Sequence, residues 1–147
     1  MGALLPIIAT GLFAASVSPL WADHLFEGRD LDNGAQIYGE SCASCHGAKL
    51  EGQPDWRTPR DDGTLPAPPH DASGHTWHHD TALLFNYTKF GGAKTLEARG
   101  VTGFQSGMPA FDDALTDDDI YDVLAYIRAQ WPTRIQRMQA ERSHALE

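Results

Sequence analysis

Two cysteines and a histidine fall within five residues, Cys42-Ala43-Ser44-Cys45-His46, and these are the chain's only cysteines. Cysteines three apart on a helical turn face one side, so both sulfurs can add to the two vinyl groups on one porphyrin edge. The next residue, His46, then brings its imidazole under the iron as the proximal ligand. This is the c-type haem attachment pattern. A structural zinc site needs four ligands, usually with a second cysteine pair, and none is present. A thioredoxin-like CxxC needs a βαβ setting, which the helical patterning described below does not offer. The expected cofactor is one covalent haem c on Cys42, Cys45 and His46.

A second group of chemically capable residues is His70-Asp71-Ala72-Ser73-Gly74-His75-Thr76-Trp77-His78-His79. Imidazole suits both copper and zinc, and the spacing lets His75 converge with His78 or His79. No Cys, Met or acidic cluster completes such a site. The favoured expectation is that some of these histidines, with Trp77, line a haem edge or propionate while the others face solvent. A metal-binding loop and a histidine as axial iron ligand are the alternatives.

Helices must position these residues. Leu31, Gly34, Tyr38 and Ser41 recur at near-helical spacing, which predicts a first helix over Asp30–Cys42. Gly34 within it costs about 1 kcal/mol against Ala. That makes sense if another helix crosses closely there; the alternative is a glycine capping a short turn after Asn33. From Glu51 to Gly74 the sequence is rich in Pro and Gly with little periodicity, a loop long enough to call for a cofactor. A short helix opens at Asp80 or Thr81 and runs to about Phe90, with Leu83, Leu84 and Tyr87 inward and Gly91-Gly92 stopping it. A second loop is expected over Ala93–Leu115. Thr116 then caps the clearest helix, with Asp117, Asp118 and Asp119 in its first turn. Ile120, Val123, Leu124, Ile127 and Trp131 form its apolar stripe, and Pro132 ends or kinks it. Residues 132–147 read as a frayed C-terminal extension. No strand-period run is visible, so the expected class is all-α.

Length and charge bound the rest. The 147 residues, 41% hydrophobic, suit one small domain. The net charge of −9 opposes nucleic-acid binding and docking onto anionic headgroups. Every charged side chain lies after Ala22. The apolar, uncharged Met1–Ala22 therefore reads as a signal peptide cut before Asp23, or as an N-terminal membrane anchor. Either way the remainder is expected in the periplasm.

Taken together, these segments resemble the class I c-type cytochromes, as their single-haem bacterial members are built. The resemblance covers roughly Asp30 to Trp131: Gly34 and Tyr38 in the first helix, CASCHG, a Pro-rich loop, a middle helix, a Met-Pro segment and the closing VLAYIRAQW. It implies a cytochrome c-like fold, three main helices and long loops wrapped around one haem, with the first and last helices crossing near Gly34. Tyr38 and Tyr126 or Trp131 would be among the packing aromatics. Gly107-Met108-Pro109-Ala110-Phe111 is similar to the family's distal segment, which makes Met108 the second iron ligand, with Met138 the weaker rival. A thioether is soft and neutral and raises the reduction potential. The resemblance also implies that a proline carbonyl, from Pro66, Pro68 or Pro69, accepts the proximal imidazole's hydrogen bond. Trp56, Arg57 and Arg60 are candidate donors to haem propionates or, equally, residues of a solvated loop.

The expected function is a periplasmic one-electron carrier, not an enzyme, working with redox partner proteins and possibly tethered through residues 1–22. The alternative is a metal-handling or haem-sensing module using the loop 70–79 or an open distal site. Six acidic residues between Asp112 and Asp122 either border the docking face or serve the last helix.

Overall fold

The computed structural model describes residues 24–144, so the export segment Met1–Ala22 lies outside the described residues. Among those described the regular structure is helical, with no strand.

Asp30 starts α1 (Leu31–Ile37), its carboxylate accepting the N–H groups of Asp32 and Asn33 at 3.1 and 3.0 Å. The helix runs through a π turn, Tyr38–Cys42, directly into α2 (Ala43–His46). In that turn the Ala43 N–H reaches back to the Tyr38 carbonyl, one residue further than an α-helix allows. The predicted first helix therefore extends through the whole CxxCH motif and carries one extra residue in its winding. Leu31, expected inward, is 45% exposed because it lies in the first turn beyond the crossing.

Gly34 lies at that crossing. A β-carbon on it would collide with the Asp122 carbonyl oxygen of α5 (Asp117–Ala129). The close-approach reading holds and the turn-cap reading does not. Asn33 locks the contact by donating to Asp119 and Asp122 at 3.1 and 3.0 Å.

Thr116 and Asp119 form a reciprocal capping box at the start of α5. Its stripe is buried as the 3.6-residue period requires, with Ile120 at 0% and Val123 at 1% exposure. Val123, Ile127 and Trp131 join Ile37, Tyr38 and Leu50 in the core.

Asp80 caps α3 (Thr81–Phe90) through the Leu83 N–H at 2.7 Å. Gly91, with φ of +79°, ends it as expected. The following segment departs from the expected loop: Gly92–Ala98 forms α4. Gly91 re-aims the chain, and Ala93, Lys94, Leu96, Glu97 and Ala98 are good helix formers that continue after the bend.

The C-terminal extension also departs from expectation. Pro132 opens a new helix, α6 (Thr133–His144), rather than ending order. α6 packs on the start of α3 and on the 3₁₀ turn Thr76–His78. Its grip is polar: buried Gln139 donates to Thr81 Oγ1 at 3.0 Å, and buried Ser143 accepts the Thr81 N–H at 3.0 Å. Hydrophobic periodicity is blind to such an interface.

Candidate haem site

α2 carries Cys42 at its N-terminal boundary, Cys45, and His46 at its end. Both cysteines are free thiols, Cys42 half-buried and Cys45 exposed. Burial, helped by Cys45, pushes the Cys42 thiol up to about 11, so at neutral pH its sulfur carries its proton. Two neutral thiols on one turn suit addition across the vinyl double bonds of a porphyrin.

His46 is 7% exposed. Its Nδ1 lies 2.9 Å from the Pro68 carbonyl oxygen. A carbonyl can only accept, so Nδ1 holds the proton and Nε2 presents its lone pair. Burial lowers the proton affinity of this ring and outweighs the Pro68 contact, so it is a neutral ligand imidazole at pH 7. Of the three prolines left open by the sequence, Pro68 is the partner. Tyr38, 2% exposed, donates its hydroxyl to the Gly47 carbonyl at 2.8 Å, which ties the end of α2 to the core. Its ring packs 5.6 Å from Tyr126, as the resemblance implied. Burial foremost, with nearby acidic groups, raises this phenol well above its usual range.

The four histidines of the second group do not converge. His70 stacks on His46 with ring centroids 3.9 Å apart and planes 20° apart, and sits 2.8 Å from Thr76 Oγ1. Burial foremost, with His46 and His75 beside it, holds His70 neutral, and its carbonyl accepts Trp131 Nε1–H at 2.7 Å. His75 lies flat against Trp56, at 5.1 Å and 3°, and meets His79 edge-on at 5.2 Å. His78 turns outward over Trp77. Among the described residues no three His, Cys, Asp or Glu side chains group to hold a metal ion. The expected convergence of His75 with His78 or His79 thus yields no such cluster, because the 3₁₀ turn directs alternate rings to opposite sides.

Arg57 lies over the Trp56 ring at 4.0 Å. Arg60 instead stitches its own loop, donating to Gln53 Oε1 at 2.6 Å. His75 Nδ1 and Trp77 Nε1 are buried without any hydrogen-bond partner.

Met108 comes from a different part of the chain, the loop between α4 and α5. It is half-buried. Its N–H donates to Ser106 Oγ at 3.2 Å and its carbonyl accepts the Gly92 N–H at 3.3 Å. Ser106 is in turn 3.1 Å from the Tyr87 hydroxyl, so the loop is pinned to the α3–α4 corner. Met138 lies in α6, half-buried.

Of the six acidic residues after this loop, Asp117 pairs with Lys89 and Asp118 with Arg29, while Asp119 and Asp122 serve the cap and the α1 crossing. Asp112 and Asp113 remain as exposed carboxylates. Sequence reading missed two features: the π turn, and the packing of His70 on His46. Neither has a local signature, since one is a winding defect and the other joins residues 24 apart.

The residues fit a covalent haem. Two thiols share a turn, one imidazole is oriented with a free nitrogen, and two buried N–H donors await acceptors. The side chains Leu83, Leu84 and Phe85 of α3 are only partly covered, leaving apolar surface for a macrocycle.

Comparison with known proteins agrees with this chemistry. The family model described as cytochrome c matches residues 31–131. The gluconate 2-dehydrogenase cytochrome c subunit of Pantoea cypripedii is 34% identical over 112 residues, covering 75% of this chain and 22% of the relative. The chain thus spans about a fifth of that curated relative's length. No solved structure matches significantly. A helical fold that presents CxxCH beside a proline carbonyl, matched over most of its length by that family, makes this chain a member of the cytochrome c family and a haem c electron-transfer protein.

Proposed function

We propose that this chain is an exported, single-haem, one-electron carrier whose iron is held by His46 and Met108. The observation that carries the reading is the His46–Pro68 hydrogen bond, which fixes the imidazole tautomer a ferric or ferrous ion requires. The haem supplies the redox centre. The protein's residues attach it, orient the ligand and keep water from the ring. One CxxCH motif accounts for one haem. Met108, on its pinned loop, supplies the soft neutral ligand that favours the ferrous state. With both axial positions filled, no coordination site is open to substrate, so the chain is a carrier rather than an enzyme in its own right. The uncharged segment before Asp23 supports a periplasmic location, cleaved or tethered. The relative is a dehydrogenase subunit, which supports a redox protein as partner here too.

The visible and near-infrared spectrum tests this. A far-red sulfur-to-iron band in the ferric protein, with no CO binding in the ferrous form, is the expected result. Absence of the band together with CO binding would replace it with an open, ligand-sensing haem.

A further inference from the structure

His75 precedes the 3₁₀ turn Thr76–His78 on the loop that also supplies Pro68. That loop is held tightly to the His46 side. A β-carbon on Gly74 would collide with the Pro69 carbonyl oxygen, and Thr76 Oγ1 lies 2.8 Å from His70 Nδ1. Within this frame His75 Nδ1 and Trp77 Nε1 are both buried and both lack a partner. A buried donor left unmade costs about 1–3 kcal/mol, so two on one short segment point to an acceptor from outside the chain. With Arg57 nearby over Trp56, that acceptor is an anion with oxygen lone pairs. Haem carries two carboxylates.

We propose that His75 and Trp77 hold a haem carboxylate and that His75 takes up a proton when the iron is reduced, so the midpoint potential falls as pH rises. The inference rests on the haem reading above. Its balance is simple: one electron from a donor protein converts ferric to ferrous iron, and one proton from solvent binds the second ring nitrogen of His75. No other bond forms or breaks.

Every element around the ring bears on the sign. Burial, then His79, His78 and Arg57, all oppose a proton on His75. His79 itself faces Asp80, Arg99 at the end of α4 and Arg142 of α6. A bound carboxylate offsets these influences, and the extra positive charge of ferric iron adds to them. Reduction removes that charge, so the proton binds more tightly in the ferrous protein. The potential therefore declines with pH between the two His75 titration points and is flat outside them.

The test is spectroelectrochemistry of the holoprotein from pH 5 to 8.5. The wild type should show a fall bounded by two bends, 59 mV for each tenfold difference between the ferric and ferrous acid constants. His75→Asn keeps an N–H donor near Nδ1 without a titrating ring, and should give a flat curve; His79→Asn should keep the slope. A flat wild-type curve, or a slope surviving in His75→Asn, overturns the proposal. Should His75→Asn fail to accumulate, NMR titration of the His75 ring in both redox states of the wild type decides. A higher value in the ferrous protein supports the coupling, and equal values refute it. Failure of the haem reading is visible beforehand, as purified wild type without a pyridine haemochrome spectrum, and refutes both.

Discussion

The two segments that supply the iron's ligands are built differently. On the His46 side, Tyr38, Pro68, His70 and Trp131 come from four stretches of chain, and each is tied to α2 or to its neighbours by a short hydrogen bond or a ring stack. Tyr38 and Trp131 are 2% and 4% exposed. On the Met108 side, Gly107, Pro109 and Ala110 are exposed, Val101 and Phe104 are 46% and 40% exposed, and the loop hangs on a few bonds to the α3–α4 corner. Local opening follows the density of buried contacts, so the two ligand segments differ in the free energy needed to release them. The lesson is a division of labour: one side anchors the cofactor and the other tunes it.

The largest effect should come from breaking the anchor covalently. Cys45→Ser should leave the haem on one thioether or lose it, read as a shifted pyridine haemochrome and a low yield of holoprotein. A fully loaded protein with an unchanged spectrum would deny the motif its role. Next, Met108→Ala should spare attachment but open the distal side, lower the midpoint potential and admit CO to the ferrous iron. If the far-red band and the potential survive, Met108 is a packing residue and Met138 or a histidine takes its place.

Two glycine substitutions sharpen the contrast without touching a ligand. Gly34→Ala places a methyl group against the Asp122 backbone and should cost about 1–3 kcal/mol of stability in denaturant titration. Gly107→Ala meets nothing within 4 Å and should stay within about 0.5 kcal/mol. Equal losses at the two sites would erase the proposed difference in rigidity. The smallest change is expected from replacing Asp112 and Asp113 by Asn. Stability should hold, while association with a basic redox partner should lose part of its salt dependence. An unchanged salt profile would leave those charges with no part in docking.

Features specified within one turn were legible in the sequence. The CxxCH motif and the Thr116 cap depend on neighbours three or four residues apart, and both stand as expected. Gly34 was legible as a crossing only because its cost demanded a reason. Legibility stopped where packing is polar or distant. α6 docks through Gln139 and Ser143 rather than an apolar stripe, and α4 follows two glycines that read as a stop. The choice of Pro68 among three prolines is made by the path of a 22-residue loop closure, which no local pattern encodes.

The π turn has a consequence for how such a chain tolerates length change. Each helical residue advances the winding by about 100°, so the surplus residue in Tyr38–Cys42 sets the azimuth of CxxCH relative to the face of α1 that meets α5. Gly39, exposed and with open space about it, is the residue whose removal would meet least resistance. Deleting it would restore an uninterrupted α-helix while swinging His46 about a quarter of a turn away from Pro68. The helix would be more regular and the ligand misdirected, so here a fault in the winding serves as the angular gauge of the redox centre.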